Sequence, residues 1–448
     1  MVQTDLFLCK GGGAEDIFGH IRALIEGGTL GQGAALPPIR ELAQMLEVNR
    51  NTVAAAYRKL VAAGLAEAAG RAGTRVAQRT RMGLPTGVHA FLPTPGMLEL
   101  ASGNPDPALL PELAPLLPHL APMPTPLYGQ PAYLPALQAW GRAWWERTGT
   151  LAAPLADPLL VNGALDGIER VLAVWLAPGD TVLVEEPCFP GSLNLLRQMG
   201  FNLVGLTLDG EGIEPAALEG ALARKPKALL WTPYSHNPTG TNTSATRAAA
   251  LRQLVDAHPE LLIVEDDHFA GFATQPTPSL ATPGRERWAA VRSLSKCLGP
   301  DLRLAFLAGD ATTLARVQRR QYVGPRWPSF LLQRLALALL QAPGTAALWR
   351  RAGACYAERH AALVAALAAR GLAALPGGGL NVWLPLADDA MAAQALAARG
   401  YLVRTGDAFR VTRRLGALRI TSAALSGEET AAFAAVLAEC LGGLGVAA

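Results

Sequence analysis

The chain has 448 residues, of which half are hydrophobic and 17% are charged, an ordinary folded composition with room for about three domains. It contains no run of about 18 uncharged apolar residues and no basic segment followed by a long apolar one near the start, so we expect neither a membrane span nor a secretory leader. The five cysteines are scattered without a CxxC pair, which predicts a reduced, cytoplasmic thiol set and argues against a metal site or a disulfide framework.

The net charge of +3 is unevenly placed. Residues 1–81 hold ten Lys and Arg against seven Asp and Glu, so the whole positive excess lies in the first fifth of the chain. Such an asymmetry is typical of a segment that contacts nucleic acid.

The basic N-terminal segment carries helical patterns at residues 16–26, 39–46 and 53–63, with Asn51 or Thr52 as the cap of the third helix. A Gly-punctuated hairpin signal follows at residues 70–76. Three helices and a small hairpin predict a winged helix-turn-helix domain over residues 1–78, whose third helix would enter the major groove of DNA. The alternative is a small helical dimerisation module with a solvated basic face.

Residues 36–76, LPPIRELAQMLEVNRNTVAAAYRKLVAAGLAEAAGRAGTRV, resemble the DNA-binding domain of GntR-type bacterial regulators. The resemblance implies that Arg40, Arg50 and Thr52 contact phosphates or bases, and that Gly73 at the tip of the wing lets the backbone reach the minor groove. Arg71 on the wing suits a phosphate contact.

Residues 79–96 are rich in Pro, Gly and Thr and predict a linker. From residue 97 the chain alternates strand-like runs with longer helical patterns, which predicts an α/β domain with a mostly parallel sheet. Its strands are expected at residues 159–161, 181–185, 203–206, 228–232, 261–265, 289–292 and 305–307. After about residue 350 the pattern predicts a smaller α+β domain that extends to residue 448.

Residues 289–304, AAVRSLSKCLGPDLRL, place Lys296 just after a predicted strand, near Ser293 and seven residues before Arg303. A lysine in this setting can form an imine with an aldehyde whose phosphate is bound by the hydroxyls and the arginine. The alternative is a surface lysine in a serine-containing turn.

Polar residues also follow other predicted strands. Asp266 could hold a pyridine nitrogen protonated, and the amide of Asn237, in an NPTG turn, could donate to a ring oxygen. Phe189 could stack on a pyridine face, and the helix start at residues 163–166 offers free N–H groups to a phosphate. Each feature alone has an ordinary structural explanation, but their combination and order favour a site for pyridoxal 5′-phosphate (PLP).

In that order the residues resemble fold-type I aminotransferases over residues 97–448. The resemblance implies that Lys296 forms the aldimine with PLP, Asp266 pairs with the pyridine nitrogen, and Asn237 contacts the 3-oxygen while Phe189 stacks on the ring. It assigns phosphate contacts to Ala164, Leu165, Ser293, Arg303 and Tyr128, the last contributed by a second subunit.

The same resemblance makes Arg419 the partner of a substrate α-carboxylate; a surface arginine on an edge strand is the alternative. His268 stands where the family commonly has a tyrosine that contacts the 3-oxygen, so proton transfer at the ring is expected to differ.

A GntR-type winged helix joined to an aminotransferase-like domain is the layout of MocR-type transcriptional regulators. The resemblance implies a head-to-tail homodimer that binds double-stranded DNA and senses PLP or an amino-acid effector. The alternatives are a catalytically active aminotransferase with an accessory N-terminal domain, and a PLP sensor or store without effector chemistry.

Overall fold

The structure is a computed structural model that describes residues 12–26, 29–31, 33–62, 65–68, 73–76, 96–120, 126–148, 156–412 and 416–444. The chain divides into two compact units, Met1–Pro85 and Thr86–Ala448. The predicted linker, residues 79–96, lies outside the described residues except for Gly96. Among the described residues, no helix is long and apolar enough to cross a membrane.

The N-terminal unit is a three-helix domain with a two-stranded wing. Its elements are α1 (Ala14–Glu26), α2 (Ile39–Met45), α3 (Arg50–Ala62), β1 (Ala66–Ala68) and β2 (Thr74–Val76), the two strands being antiparallel. Apolar residues at helical spacing, such as Ile17, Ile21, Leu42, Val53 and Leu60, form one buried core. The predicted winged helix-turn-helix fold is confirmed.

The start of α3 differs from the expectation. The helix begins at Arg50, and the side-chain oxygen of Asn49 accepts a hydrogen bond from the Asn51 amide at 2.8 Å. The prediction of a cap at Asn51 or Thr52 was therefore wrong, because Asn49 already satisfies a free N–H of the first turn. As a result Arg50 lies in the first turn of this helix.

The larger unit is built on a sheet whose described strands are β4 (Leu159–Val161), β5 (Thr181–Glu186), β6 (Asn202–Asp209), β7 (Gly212–Ile213), β8 (Ala228–Trp231), β9 (Leu262–Asp267), β10 (Trp288–Ser293) and β11 (Ala305–Gly309). These eight strands lie in the order β4-β11-β10-β9-β8-β5-β6-β7. The helices of this part are α4 (Pro135–Thr148), α5 (Ala164–Ala173), α6 (Pro190–Gln198), α7 (Pro215–Leu222), α8 (Ala245–Asp256), α9 (Ala311–Val323) and α10 (Phe330–Gln341).

The sheet is mainly parallel, as predicted. Strands β10, β9, β8, β5 and β6 run parallel, whereas β11 is antiparallel to both of its neighbours. Strands β8, β9 and β10 are buried along their whole length, which fits the apolar residues with which each begins, and β9 and β10 end in buried polar residues. The carboxyl ends of the parallel strands therefore meet at one edge of the sheet, where doubly wound folds bind ligands.

The smaller α+β domain has its own core. It contains α11 (Thr345–Ala368), β12 (Asn381–Pro385), α12 (Asp389–Ala398), β13 (Tyr401–Leu402), β14 (Arg404–Thr405), β15 (Ala417–Thr421) and α13 (Gly427–Leu444). The expected division near residue 350 falls inside α11. A two-residue strand, β3 (Leu98–Glu99), pairs in parallel with β13, and Leu100 lies in the same core, so the first residues after the linker pack with the last hundred.

Candidate cofactor site

A cavity of about 220 Å³ opens at the carboxyl edge of the sheet. Its walls come from the loops after β4, β5, β8, β9 and β10 and from the segment before β11. The predicted site residues that line it are Ala164, Leu165, Phe189, Asn237, Asp266, His268, Ser293, Lys296 and Arg303. Residues far apart in the chain thus meet around one small volume.

One end of the cavity is a cradle suited to a phosphate. Gly163 precedes α5 with φ +93°, so the N–H groups at the helix start face outward without a side chain in front of them. Arg303 packs against this glycine: a Cβ on Gly163 would lie 2.9 Å from an Arg303 guanidinium nitrogen. The hydroxyls of Ser293 and Ser295 lie 2.9 Å apart on the same wall.

Asp266 provides an acceptor that lacks a donor. Its carboxyl is buried, and Oδ1 has no hydrogen-bond partner among the described residues. Burial, followed by the nearby Asp267 carboxylate, raises the pKa of Asp266 to about 7, while Lys296 opposes the shift. A protonated pyridine nitrogen would supply both the missing hydrogen bond and the missing positive charge.

Lys296 lies in the loop after β10 with its amine inside the cavity. Nζ donates a hydrogen bond to the Gly103 carbonyl oxygen at 2.7 Å. Burial, followed by the positive charge of Arg419, lowers the pKa of this amine to about 8, while Asp266 opposes the shift. The lowered pKa enlarges the neutral fraction of the amine near neutral pH, and the neutral form is the one that attacks an aldehyde.

Arg419 is buried on the central strand of the β12-β15-β14 sheet and is only 1% exposed. The alternative of a surface arginine on an edge strand is therefore wrong. One guanidinium nitrogen donates to the Asn237 side-chain oxygen at 3.4 Å, and another donates to the Ala101 carbonyl oxygen. Arg419 is not among the described residues that line the cavity, whereas Gly103, which lies against its guanidinium, is.

His268 and Phe189 form further walls of the cavity. Burial, followed by the charge of Lys296, lowers the pKa of His268 to about 4, so its imidazole is neutral near pH 7 and has a single N–H to donate. The Phe189 ring is 37% exposed, which leaves a face for a stacked ring.

Tyr128 does not join this group in a single chain. It is 80% exposed and is absent from the described lining of the cavity. Its ring lies 5.9 Å from that of Trp327, and the Arg326 guanidinium lies 5.0 Å from the Tyr128 ring centre.

On the winged helix domain, Arg40 and Arg50 are exposed on α2 and α3, and Thr52 is half-buried. Gly73 precedes β2 with φ +83° and nothing within 4 Å of a Cβ added there. Arg71 lies outside the described residues.

The sequence did not single out Ser102, Gly103, Thr232 and Pro300, which also line the cavity. The signal for the first two was the Ser-Gly-Asn-Pro turn at residues 102–105. That turn identifies a loop, but it gives no indication of which wall the loop would form.

These residues fit PLP. The cradle offers N–H groups, hydroxyls and a guanidinium to a phosphate, Asp266 has an unpartnered oxygen that would accept from the ring nitrogen, and Lys296 presents its amine. PLP supplies an aldehyde that reacts with amines and a ring that withdraws electrons from the adduct.

Solved structures of similar fold support the same cofactor. The alpha-aminoadipate aminotransferase LysN of Thermus thermophilus, complexed with N-(5′-phosphopyridoxyl)-L-leucine, is 26% identical with a TM-score of 0.69, and the match covers 78% of this chain and 93% of that one. The kynurenine aminotransferase of Pyrococcus horikoshii, at 21% identity and a TM-score of 0.72, shares the fold over 79% of this chain and 93% of its own. PLP is therefore the cofactor of this domain.

Comparison of sequences assigns both units. Residues 95–437 match the family Aminotransferase class I and II, and residues 14–76 match Bacterial regulatory proteins, gntR family. The vitamin B6 salvage pathway transcriptional repressor PtsJ of Salmonella typhimurium is 42% identical over 96% of this chain and 98% of its own length. The HTH-type transcriptional regulator TauR of Rhodobacter capsulatus is 28% identical over 91% of this chain and 92% of its own. The chain therefore belongs to the MocR-type regulators, in which a GntR-type winged helix precedes an aminotransferase domain.

Proposed function

We propose that this chain is a DNA-binding transcriptional regulator whose aminotransferase-like domain holds PLP on Lys296. The observation that carries the proposal is the cavity that gathers Lys296, Asp266 and Arg303 on the same chain as a winged helix domain. In this proposal Arg40, Arg50, Thr52, Arg71 and Gly73 contact the DNA.

In this proposal, different residues of the cavity bind different parts of the cofactor. Lys296 would hold the cofactor through its amine, because PLP supplies an aldehyde that condenses with amines. Arg303, Ser293 and the N–H groups of Ala164 and Leu165 bind the phosphate, as expected of a cationic side chain beside a helix start. Asp266 would accept a hydrogen bond from the protonated ring nitrogen, and the Asn237 amide would donate one to the 3-oxygen.

The effector in this proposal is PLP itself or an amino acid bound to it. A carboxylate on the effector would form a two-pronged ion pair with the buried guanidinium of Arg419. The role that PtsJ has in vitamin B6 salvage favours PLP as the signal. An amino-acid effector is favoured by Arg419, which PLP alone does not need.

We further propose that the regulator is a head-to-tail homodimer in which the exposed Tyr128 contributes to the phosphate site of the other subunit. Apolar side chains are also exposed in residues 113–127, at the end of α9 and at the start of α10, as expected of a surface covered by a second copy. They are Leu113, Leu117, Leu127, Tyr322, Val323 and Leu331.

The experiment that tests the cofactor claim is an absorbance spectrum of purified protein with added PLP. Wild type and Lys227→Ala, which removes an exposed lysine, are expected to show the visible band of PLP bonded to an amine. Lys296→Ala is expected to lack it. A band that persists in Lys296→Ala, or none in wild type, would refute the assignment.

A second candidate is a working aminotransferase, because Lys296, Asp266 and Asn237 meet in one cavity as that chemistry requires. Rapid turnover of an amino acid with a 2-oxo acid, together with no binding to the DNA upstream of its own coding sequence, would favour this candidate. Slow or no turnover with tight DNA binding would favour the regulator.

A further inference from the structure

A second cavity lies apart from the cofactor site, among the end of α4, the segment after β9 and the start of α11. Its volume is about 670 Å³, within the range of cavities that bind small molecules. We call it the tryptophan cavity, after the three indole side chains in its wall, those of Trp140, Trp144 and Trp349. No described residue lines both the tryptophan cavity and the cofactor cavity, so the two are separate.

The indole rings contact one another and form an apolar wall. The ring centres of Trp140 and Trp144 lie 5.3 Å apart, those of Trp144 and Trp349 lie 5.7 Å apart, and those of Trp140 and Trp349 lie 6.3 Å apart. Several other lining residues have a small side chain or none, which keeps the volume open: Gly271, Ala273, Gly353, Ala354 and Ala357. An aromatic ligand suits such a wall, because a pair of aromatic rings contributes roughly 2- to 10-fold in affinity beyond the burial of its surface.

The charged side chains in the described lining of the cavity are both cationic. Arg147 and Arg350 are exposed, and neither has an ion-pair partner among the residues that the structure describes. The Arg147 guanidinium lies 5.4 Å from the Trp140 ring centre, so a charge and an aromatic surface are adjacent. Arg292, which is buried against one of the indole rings, is paired with Asp267 at 2.9 Å and adds no net charge. The described lining holds no Asp or Glu, so it would not repel an anion.

We propose that the tryptophan cavity is a second ligand site, which takes a planar aromatic carboxylate: the ring lies against the indoles, and the carboxylate pairs with Arg147 and Arg350. This combination uses both features of the lining. A neutral aromatic molecule would leave the two cations without a partner, and a saturated carboxylate would gain no contact between rings. The site goes beyond the proposed function, because neither Lys296 nor Arg419 is among the residues that line it.

The position of the cavity predicts that this ligand and PLP bind at the same time. The Trp349 Nε1 donates a hydrogen bond to the Cys297 carbonyl oxygen at 3.0 Å, and a Cβ added to Gly271 would lie 2.9 Å from the Cys297 Cβ. The residue that follows the cofactor lysine therefore packs against the wall of the tryptophan cavity, while Lys296 itself lines the other cavity. A ligand in the tryptophan cavity thus lies next to the lysine loop and leaves the place of the cofactor free.

Binding of quinoline-2-carboxylate to the full-length protein tests the site. The protein is first loaded with PLP and freed of the excess, so that the cofactor cavity is filled, and isothermal titration calorimetry then measures the affinity for the probe. Wild type is expected to bind one probe molecule per chain. No saturable binding would overturn the inference.

The double variant Arg147→Gln, Arg350→Gln removes both charges of the lining. Because both arginines are exposed, neither substitution removes a buried contact. An exposed charge pair contributes roughly 2- to 5-fold in affinity, so the double variant should bind the probe roughly 4- to 25-fold more weakly than wild type.

The double variant Arg142→Gln, Arg351→Gln is the matched control. These arginines lie on the same two helices but do not line the cavity, so the control loses the same net charge without changing the site. It should bind the probe like wild type. An equal loss in the control, or full affinity in the Arg147, Arg350 variant, would overturn the inference. The probe would then respond to the net charge of the protein alone or bind elsewhere.

Two analogues of the probe test the class of ligand. Quinoline lacks the carboxylate, and cyclohexanecarboxylate lacks the planar aromatic ring. Each should bind to wild type at least about 3-fold more weakly than quinoline-2-carboxylate. Equal affinity for quinoline would refute the pairing with the arginines, and equal affinity for cyclohexanecarboxylate would refute the contact with the indole rings.

Discussion

The substitution Gly163→Ala adds a single methyl group at the phosphate cradle and so tests its assignment. Its backbone has φ +93° and ψ +170°, a region open essentially to glycine, and a Cβ there would lie 2.9 Å from one Arg303 nitrogen and 3.2 Å from Cζ. We expect Gly163→Ala to lower the unfolding free energy by about 1–3 kcal/mol through backbone strain. The added methyl group must also move the Arg303 guanidinium away from its position at the start of α5.

The displaced guanidinium provides the functional readout. A hydrogen bond to a charged group contributes about 1.5–3 kcal/mol, so loss of the Arg303 contact should weaken PLP binding roughly 10- to 150-fold. PLP titration followed by absorbance measures the affinity, and urea unfolding measures the stability of the cofactor-free protein.

Gly179→Ala separates the two effects. Gly179 also has φ +93°, but nothing lies within 4 Å of a Cβ placed there. This control should lose a comparable amount of stability and bind PLP like wild type. If Gly163→Ala also binds PLP like wild type, the assignment of Arg303 and the α5 start to the phosphate is refuted.

Two further predictions concern the cofactor-free fold and the DNA. Asp266→Asn should raise the unfolding free energy at pH 8 by about 1 kcal/mol or more and leave it nearly unchanged at pH 4. The reason is that burial, followed by Asp267, raises the pKa of Asp266 to about 7, so the wild-type fold loses stability as the pH rises from about 4 to about 7. Equal urea midpoints for the two proteins at pH 8 would contradict this. Arg50→Ala should weaken binding to operator DNA by about 1–3 kcal/mol. Lys59→Ala should weaken it less, because Lys59 is already paired with Glu15. Anisotropy titrations in which Lys59→Ala loses more affinity than Arg50→Ala would contradict the placement of α3.

Local patterns in the sequence were sufficient to predict most of the large sheet and its chemistry. The strands β9 and β10 each begin with an apolar run, so the polar residues after those runs, such as Asp266 and Lys296, could be placed at or near a strand end. Because parallel strands end at one edge, residues far apart in the chain were expected to meet there.

The segment at residues 98–103 could not be predicted in this way. Its strand is two residues long and carries no periodic signal, and it contacts Lys296 and Arg419 across sequence separations of 193 and 318 residues. Nothing in the local sequence distinguishes a turn that lines a cavity from one that faces water.

The environment of Arg419 shows the same limit. An alternating five-residue strand fits the edge or the centre of a sheet equally well, and only pairing with β12 and β14 on either side buries this guanidinium.

The cap of α3 was misplaced because Asn49, Asn51 and Thr52 are all good capping residues, and hydrogen bonding in the folded helix decides among them.

The most direct test of the central claim measures DNA affinity with and without PLP. Labelled DNA from the region upstream of its own coding sequence is titrated with wild type and with Lys296→Ala at fixed salt, and binding is followed by fluorescence anisotropy. The account predicts that PLP changes the affinity of wild type and leaves that of Lys296→Ala unchanged. An identical response in both proteins, or none in wild type, would show that the cofactor site and the DNA-binding domain are not coupled through Lys296.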